Sequence, residues 1–327
     1  MVHSIIGAKA APGAKAPQVQ RLVIDESSEG QRLDNFLLRL WKGVPKTHVY
    51  RVIRSGEVRV NKGRAAADTR LALGDEVRVP PVRMAEPPAT ATAASAPARA
   101  FCVLLEDESL LAIDKPAGVA VHGGSGVAFG VIEQLRRARP EARFLELVHR
   151  LDKETSGVLL LAKQRKALTH LQDQFRNRDT DKRYAALVAG AWPANKKVID
   201  VALHKTLDAQ GERHVRPVAA DHADGRRSIT LVKVAKAFAA FTLLDVTLKT
   251  GRTHQIRVHL AGEGHPIVGD PKYGDFARNR QLARGEHRFA RMFLHARRLA
   301  FDHPASGQRI EVEAPLPAEC ATLLQQL

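Results

Sequence analysis

The stretch HRLDKETSGVLLLAK, residues 149–163, sets one acid among bases just ahead of an apolar run. Asp152 follows Arg150 by two residues and is followed at once by Lys153. A carboxylate in a loop that leads into a strand can project from a rigid element into a cleft, which suits a nucleophile or an acid–base group. Asp-Lys-Glu-Thr-Ser-Gly is also sound turn chemistry, and the stretch by itself favours an Asx turn over a catalytic perch. Other residues must decide between the two.

Several alternative chemistries fall away. The chain has 14 histidines, but His254, His259 and His265 lack the i, i+4 pairing around a Glu that a helical zinc site shows, so surface or RNA-facing histidines are expected. No serine sits in a G-x-S-x-G turn, and HGGSGVAFG does not fit that pattern. That loop also lacks the G-K-[ST] ending of a phosphate loop and the spacing of a dinucleotide site, which leaves a structural turn. Paired glycosidase carboxylates are not evident either, since Asp152 and Glu154 would point to different sides of an extended chain. Cys102 and Cys320 lie far apart without C-x-x-C spacing, so neither a disulfide framework nor a thiolate metal site is indicated.

The charge balance narrows the partner. Lys+Arg number 51 against Asp+Glu 35, a difference of +16, which favours a polyanion through release of condensed counterions. Nucleic acid leads and an anionic membrane surface follows. No apolar run approaches the ~20 residues needed to span a bilayer, and the N-terminus lacks a compact signal-peptide pattern, so a cytoplasmic protein is expected.

The elements that must position these residues fall into two modules. Residues 1–18 read as a disordered basic tail, MVHSIIGAKAAPGAKAP being too poor in large apolar groups to offset ordering entropy. Residues 84–100, MAEPPATATAASAPARA, have linker composition and separate a module at 19–83 from one at 101–327. In the first, Leu33, Phe36, Leu37 and Leu40 form one stripe on a helix from about Arg32 to Trp41. Pro45 and Thr47 open a second helix with Val49, Val52 and Ile53 on one face and Gly56 as its stop. EVRVN and GDEVRVPP alternate as small strands, and the polar side carries Arg32, Lys42, Lys46, Arg51, Arg54 and Arg59. This segment resembles the small RNA-binding module named after ribosomal protein S-four, which makes RNA the preferred polyanion.

In the larger module LLAIDKPAGVAVH reads as a strand entering a turn, GVIEQLRRAR as a helix, VLLLAK as a strand and residues 166–177 as a helix. KRYAALVAG alternates Tyr184, Ala186 and Val188, while RSITLVKVAKAF and FTLLDVTLK form a hairpin. TGRTHQIRVHLAGEGHP reads as a turn, a helix with Ile256 and Leu260 inward, and a glycine stop. Residues 196–230 show no periodicity.

With these segments in order, HRLDKETSGVLLLAK, KRYAALVAG, KTGRTHQIRVHLAGEGHPIVGDPKYG and FLHARRLAFDHPASGQRIEVEAPLP together resemble the RluA-type pseudouridine synthases. The resemblance implies an α+β catalytic domain on a mixed, largely antiparallel sheet, and isomerisation of uridine in RNA to pseudouridine. The branch it points to acts on 23S ribosomal RNA or its large-subunit precursor. It implies no small-molecule cofactor, no metal, no membrane partner and a monomer. Asp152 matches the family's nucleophile, Arg257 the arginine paired with it, and Tyr184 the residue that stacks on the target base. Arg150 matches a residue that enters the vacated RNA stack, and Leu294 an apolar pocket wall. Lys46, Arg51, Arg54 and Arg59 are the expected RNA contacts of the N-terminal module. Taken singly, Tyr184 would be a strand core residue, Arg257 an exposed helix residue and Leu294 plain core. Addition to C1′, removal of the 2′ proton and attack on the uracil ring are all open to such an aspartate. The competing class is a non-catalytic RNA-binding assembly factor with the same fold.

Overall fold

The computed structural model describes residues 18–26, 28–41, 43–82, 96–124, 128–207 and 213–327. Residues 1–17 of the expected tail, most of the linker, Lys42 and part of the glycine-rich loop lie outside them. The chain divides between residues 94 and 95 into two compact units.

The first unit contains β1 (Gln20–Val23), α1 (Leu33–Leu40), α2 (Lys46–Arg54), β2 (Arg59–Val60) and β3 (Glu76–Val79). The strands form an antiparallel sheet in the order β1-β3-β2. Leu33 and Leu37 of α1, Val49, Val52 and Ile53 of α2, and Val77 and Val79 of β3 close one core. The apolar stripe predicted to end at Leu40 ends differently: Leu40 is 36% exposed and Trp41 is buried. Trp41 leaves helical geometry while its N–H still bonds the Leu37 carbonyl, and this turns the larger side chain inward. The strand predicted over EVRVN is only two residues long because Asn61 and Lys62, at φ 48° and 68°, turn the chain back toward β3.

The second unit opens with β4 (Cys102–Glu106), β5 (Leu110–Lys115), α3 (Val131–Ala138), β6 (Glu146–Leu147), β7 (Ser156–Ala162) and α4 (Arg165–Asn177). It continues through β8 (Asp181–Ala189), β9 (Val198–Asp200), β10 (Ala202–Leu207), β11 (Arg213–Val218), β12 (Ile229–Ala237) and β13 (Phe241–Leu248). Then follow α5 (Gln255–Gly262), α6 (Phe276–Arg284), β14 (Leu294–Asp302), β15 (Arg309–Glu313) and α7 (Ala318–Gln326). The main sheet runs β4-β5-β7-β14-β8-β13-β12-β9, with β15 added to β14 and β6 to β7. Its one parallel pair is β7 with β14, so the sheet is mixed and largely antiparallel, as expected of this α+β fold.

Both faces of the sheet are covered. Val158 and Leu160 pack against Ala167, Leu168 and Leu171 of α4, whereas Leu159 and Leu161 pack against Val131, Ile132 and Leu135 of α3. β8 is treated likewise, with Ala186 and Val188 against Ile256 and Leu260 of α5, and Leu187 against Leu282 of α6 and Leu323 of α7. The simple alternation read in KRYAALVAG therefore becomes a strand buried on both sides from Ala185 to Ala189. Gly157, at φ +109°, is required where β7 meets β14: a Cβ there would lie 2.2 Å from the Ala296 carbonyl oxygen. The aperiodic residues 196–230 hold β9 and the separate hairpin β10–β11. Among the described residues no helix is long and apolar enough to cross a membrane.

Candidate active site

Asp152 lies in the loop between β6 and β7, where residues 152–155 make a turn rather than extended chain. The Thr155 N–H closes this turn on the Asp152 main-chain carbonyl at 3.1 Å. The Asp152 carboxylate takes the bond it is given by Arg257 instead. Lys115, fully buried at the end of β5, braces the loop from below. Its Nζ donates to the carbonyls of Pro116, Val119 and Lys153 at 2.8, 2.8 and 3.1 Å, and the Gly118 N–H also reaches the Lys153 carbonyl. Burial lowers the Lys115 pKa to about 7.

Arg257 comes from α5, a helix buried on nearly every side from Gln255 to Leu260. Arg257 is 5% exposed, so it is no surface helix residue. Its Nε and one terminal nitrogen donate to the two oxygens of Asp270 at 2.8 Å each, and its other terminal nitrogen reaches Asp152 Oδ2 at 3.1 Å. Burial opposes the Arg257 charge, but the hydrogen bonds and charge of Asp270, joined by Asp152, outweigh it and hold the pKa above the ordinary arginine value. Asp270 is fully buried and also accepts from the N–H groups of Lys272 and Tyr273. Its desolvation is outweighed by Arg257, and its carboxyl stays below the usual range. Sequence reasoning had not singled out Asp270, although it lies inside GDPKYG; nothing in a lone Asp before Pro announces that its partner is an arginine one helix away.

His254 caps α5 in a left-handed conformation at φ 54°. Its Nε2 lies 3.9 Å from Asp152 Oδ2 and its Nδ1 bonds the Tyr273 hydroxyl at 2.9 Å. Gln255 fixes the turn before it, accepting from Thr250 and Arg252 and donating to Ile229 and Thr230. The Arg257 guanidinium sits 5.1 Å from the Tyr273 ring centre.

These groups open into a cavity of about 1580 Å³ whose walls include Arg150, Asp152, Tyr184, His254, Arg257 and Leu294. Tyr184, half-buried on β8, has its phenol pKa pushed up by burial and then by the negative charge of Asp152, so the ring enters the site neutral. Arg150 is exposed at the rim and Leu294 is buried at the start of β14. Arg176, Arg178, Lys182, Lys249, Arg252 and Lys272 line the same cavity, a basic mouth that sequence reasoning had not assembled because its members are scattered over three loops and two helix or strand ends.

The other predicted residues lie in the first unit. Lys46, Arg51 and Arg54 are exposed along α2, and Arg59 is half-buried on β2 with one nitrogen on the Lys62 carbonyl. Arg32, named with the cations of the polar side, is paired with Asp34.

The histidines are not all at the surface: His259 and His295 are buried, and His149 stacks on Phe175 while accepting from the Leu160 N–H. Burial lowers the pKa of His149 and His295 to about 4, so these imidazoles act as neutral hydrogen-bonding groups. Among the described residues no cluster of three or more His, Cys, Asp or Glu side chains could hold a metal ion. Where it is described, the glycine-rich loop is tied to α3, and its His122 and Gly124 line the cavity. Glu133 accepts from the Gly123 and Gly130 N–H groups, and a Cβ at Gly130 would lie 2.4 Å from the His122 backbone.

Residues 109–262 match the family model described as RNA pseudouridylate synthase, and residues 31–77 match the S4 domain. A basic cleft holding a paired carboxylate, joined to an RNA-binding module, is thus the architecture of an RNA-modifying enzyme. The chain belongs to the RluA-type family of pseudouridine synthases, isomerases of uridine in RNA. It is 50% identical over 304 residues to the ribosomal large subunit pseudouridine synthase C of Yersinia pestis, covering 92% of this chain and 93% of that protein. The protein of the same name in Escherichia coli K12 is 48% identical over 316 residues, covering 96% and 98%. Among solved structures, human RNA pseudouridylate synthase domain containing 4 superposes with a TM-score of 0.57 at 26% identity, over 69% of this chain and 92% of that one. Human RNA pseudouridylate synthase domain containing 1 gives 0.55 at 27%, over 68% and 87%.

Proposed function

We propose that this enzyme converts specific uridines of 23S ribosomal RNA to pseudouridine, acting as a cytoplasmic monomer with Asp152 as nucleophile on a flipped-out uridine. The observation that carries this reading is the fork of Arg257: Asp270 occupies two of its nitrogens and leaves the third for Asp152, inside a cavity also walled by Tyr184. The names of the relatives, ribosomal large subunit pseudouridine synthases, support the choice of RNA.

The reaction breaks the N1–C1′ bond, makes a C5–C1′ bond, and returns to N1 a proton equivalent to the one lost from C5. Nothing is gained or lost overall, so no oxidant, reductant or co-substrate is needed. A carboxylate can hold the sugar while the uracil turns, provided the detached base neither diffuses away nor is replaced by water. Arg257 aims the carboxylate without needing to reorganise, since Asp270 already fixes its plane. Tyr184 stacks on the target base and recovers part of the few kcal/mol that flipping costs, and Leu294 closes the apolar side of the pocket. Arg150, exposed beside Asp152, fills the gap the base leaves in the RNA stack. The cations of the cavity mouth, with Lys46, Arg51, Arg54 and Arg59 of the first unit, take up phosphates.

Carbodiimide labelling followed by primer extension on 23S RNA tests this reading. Cells lacking the protein should lose specific pseudouridine stops, which the wild-type chain restores and Asp152→Asn does not. If every stop persists in the deletion strain, or if Asp152→Asn restores them all, the enzyme reading of this site is wrong and an RNA-binding assembly role takes its place.

A further inference from the structure

The polar surface of α2 is not composed of cations alone. Between Lys46 and Arg54 on that helix stands Tyr50, 37% exposed, one of three tyrosines in the chain and the one that belongs to the first unit. Its hydroxyl donates to Asp34 Oδ2 at 3.1 Å. The same oxygen accepts from Arg32 at 2.7 Å, while Asp34 Oδ1 accepts from Arg32 Nε at 3.1 Å. Asp34 is 3% exposed, whereas the Arg32 side chain is 41% exposed. A buried carboxylate therefore pins the polar end of a phenol and the inner edge of a guanidinium. What the two residues still offer to solvent is part of a phenol and part of a guanidinium, both held in place in advance.

Such a pair suits an unpaired base better than a phosphate or a duplex. Phosphate seeks paired free N–H donors, and Asp34 already takes Nε and one terminal nitrogen of Arg32, the bidentate edge of the guanidinium. Bases inside a helix already stack on one another and expose no face. An unpaired base has a free face, and stacking on an aromatic ring or guanidinium plane is the general way in which proteins hold one. The cations at Lys46 and Arg54, one helical turn to either side of Tyr50, are placed for the phosphates that flank it.

We propose that Tyr50 and Arg32, pinned by Asp34, form a stacking site for one unpaired nucleotide of the RNA that the first unit contacts. The site is separate from the pocket that receives the target uridine and rests on the reading of this unit as an RNA contact. Its consequence is that the module selects RNA with a bulge, loop or single strand beside the bound helix, whatever the base.

The full-length protein is titrated, by fluorescence anisotropy, with two fluorescein-labelled probes: a single-stranded adenine 12-mer RNA and a fully paired 12-base-pair RNA. Tyr50→Ala should weaken binding of the single strand roughly tenfold, leave the duplex unchanged, and leave the slope of log affinity against log salt unchanged. Tyr50→Phe keeps the ring and should stay within about twofold of wild type. Arg54→Ala should weaken both probes and reduce the salt slope by about one phosphate contact. The proposal is overturned if Tyr50→Ala weakens both probes equally or neither. It is equally overturned if Tyr50→Phe is as damaging as Tyr50→Ala, since the hydroxyl and the local fold would then be what matters. Failure of the wild-type chain to bind either probe would sink the RNA-contact reading itself.

Discussion

The two units solve opposite problems with the same three residue types. In the catalytic unit the buried member is an arginine, Arg257, with Asp270 behind it, a carboxylate presented to the cavity and a tyrosine ring against its side. In the first unit the buried member is an aspartate, Asp34, and the arginine and tyrosine are presented to solvent. Which partner is buried decides what the surface offers: an oriented acid in one case, an oriented cation and ring in the other. The energetics differ accordingly. Arg257 and Asp270 are both desolvated, so removing either leaves a buried charge, while Arg32 keeps much of its hydration.

The comparison breaks most visibly at Asp270. Asp270→Asn leaves Arg257 with one carboxylate instead of two, and should cost about 3–5 kcal/mol in the unfolding of the catalytic unit, read from urea midpoints. A loss below ~1 kcal/mol would mean that the buried pair is no tighter than a surface one. Arg257→Lys comes next. A point-charge ammonium cannot span Asp152 and Asp270 together, so kcat should fall about 10²- to 10³-fold, while RNA affinity, supplied by the cavity mouth and the first unit, changes little. A matching fall in affinity with kcat preserved would assign Arg257 to binding.

These expectations also mark where sequence reasoning reaches. Periodicity located α2, α4 and the β12–β13 hairpin because each buries one clean face or one clean alternation. It missed β10–β11, where Ala202 and Leu203 bury side by side, Val215 buries between exposed neighbours, and a half-covered hairpin leaves almost no pattern. It read β8 as alternating although helices cover both its faces, since coverage is a property of the partners and not of the strand. Asp152 and Arg257, 105 residues apart, are joined by no local rule. Family resemblance linked them, whereas the third member, Asp270, became visible only when the chain was folded around it.

The histidines sharpen the contrast through pH. His149 and His295 have pKa values near 4 in the folded catalytic unit against an unfolded value near 6.5, lowered above all by burial. A depressed histidine pKa means that the unfolded chain binds the proton first. Their contribution is fully present above pH 6.5 and is lost as the pH falls toward 4, by at most roughly 3 kcal/mol each. The first unit's described residues contain only His48, half-buried on α2. Between pH 7.5 and 5 the calorimetric transition of the catalytic unit should therefore move to lower temperature while that of the first unit stays in place. His295→Gln should flatten the shift, and equal movement of both transitions would deny the histidines this role.

The smallest effect is expected at Arg32, and its smallness is the point. Arg32→Gln removes a half-hydrated ion pair but leaves Asp34 accepting from the Asn35 N–H and the Tyr50 hydroxyl. The urea midpoint of the first unit should barely move, and 0.5 M salt should shrink the difference further. A loss as large as that expected at Asp270 would place Arg32 in the same structural role as Arg257. A loss near zero leaves Asp34 spending its buried charge on orientation rather than stability, as a surface built to meet another molecule requires.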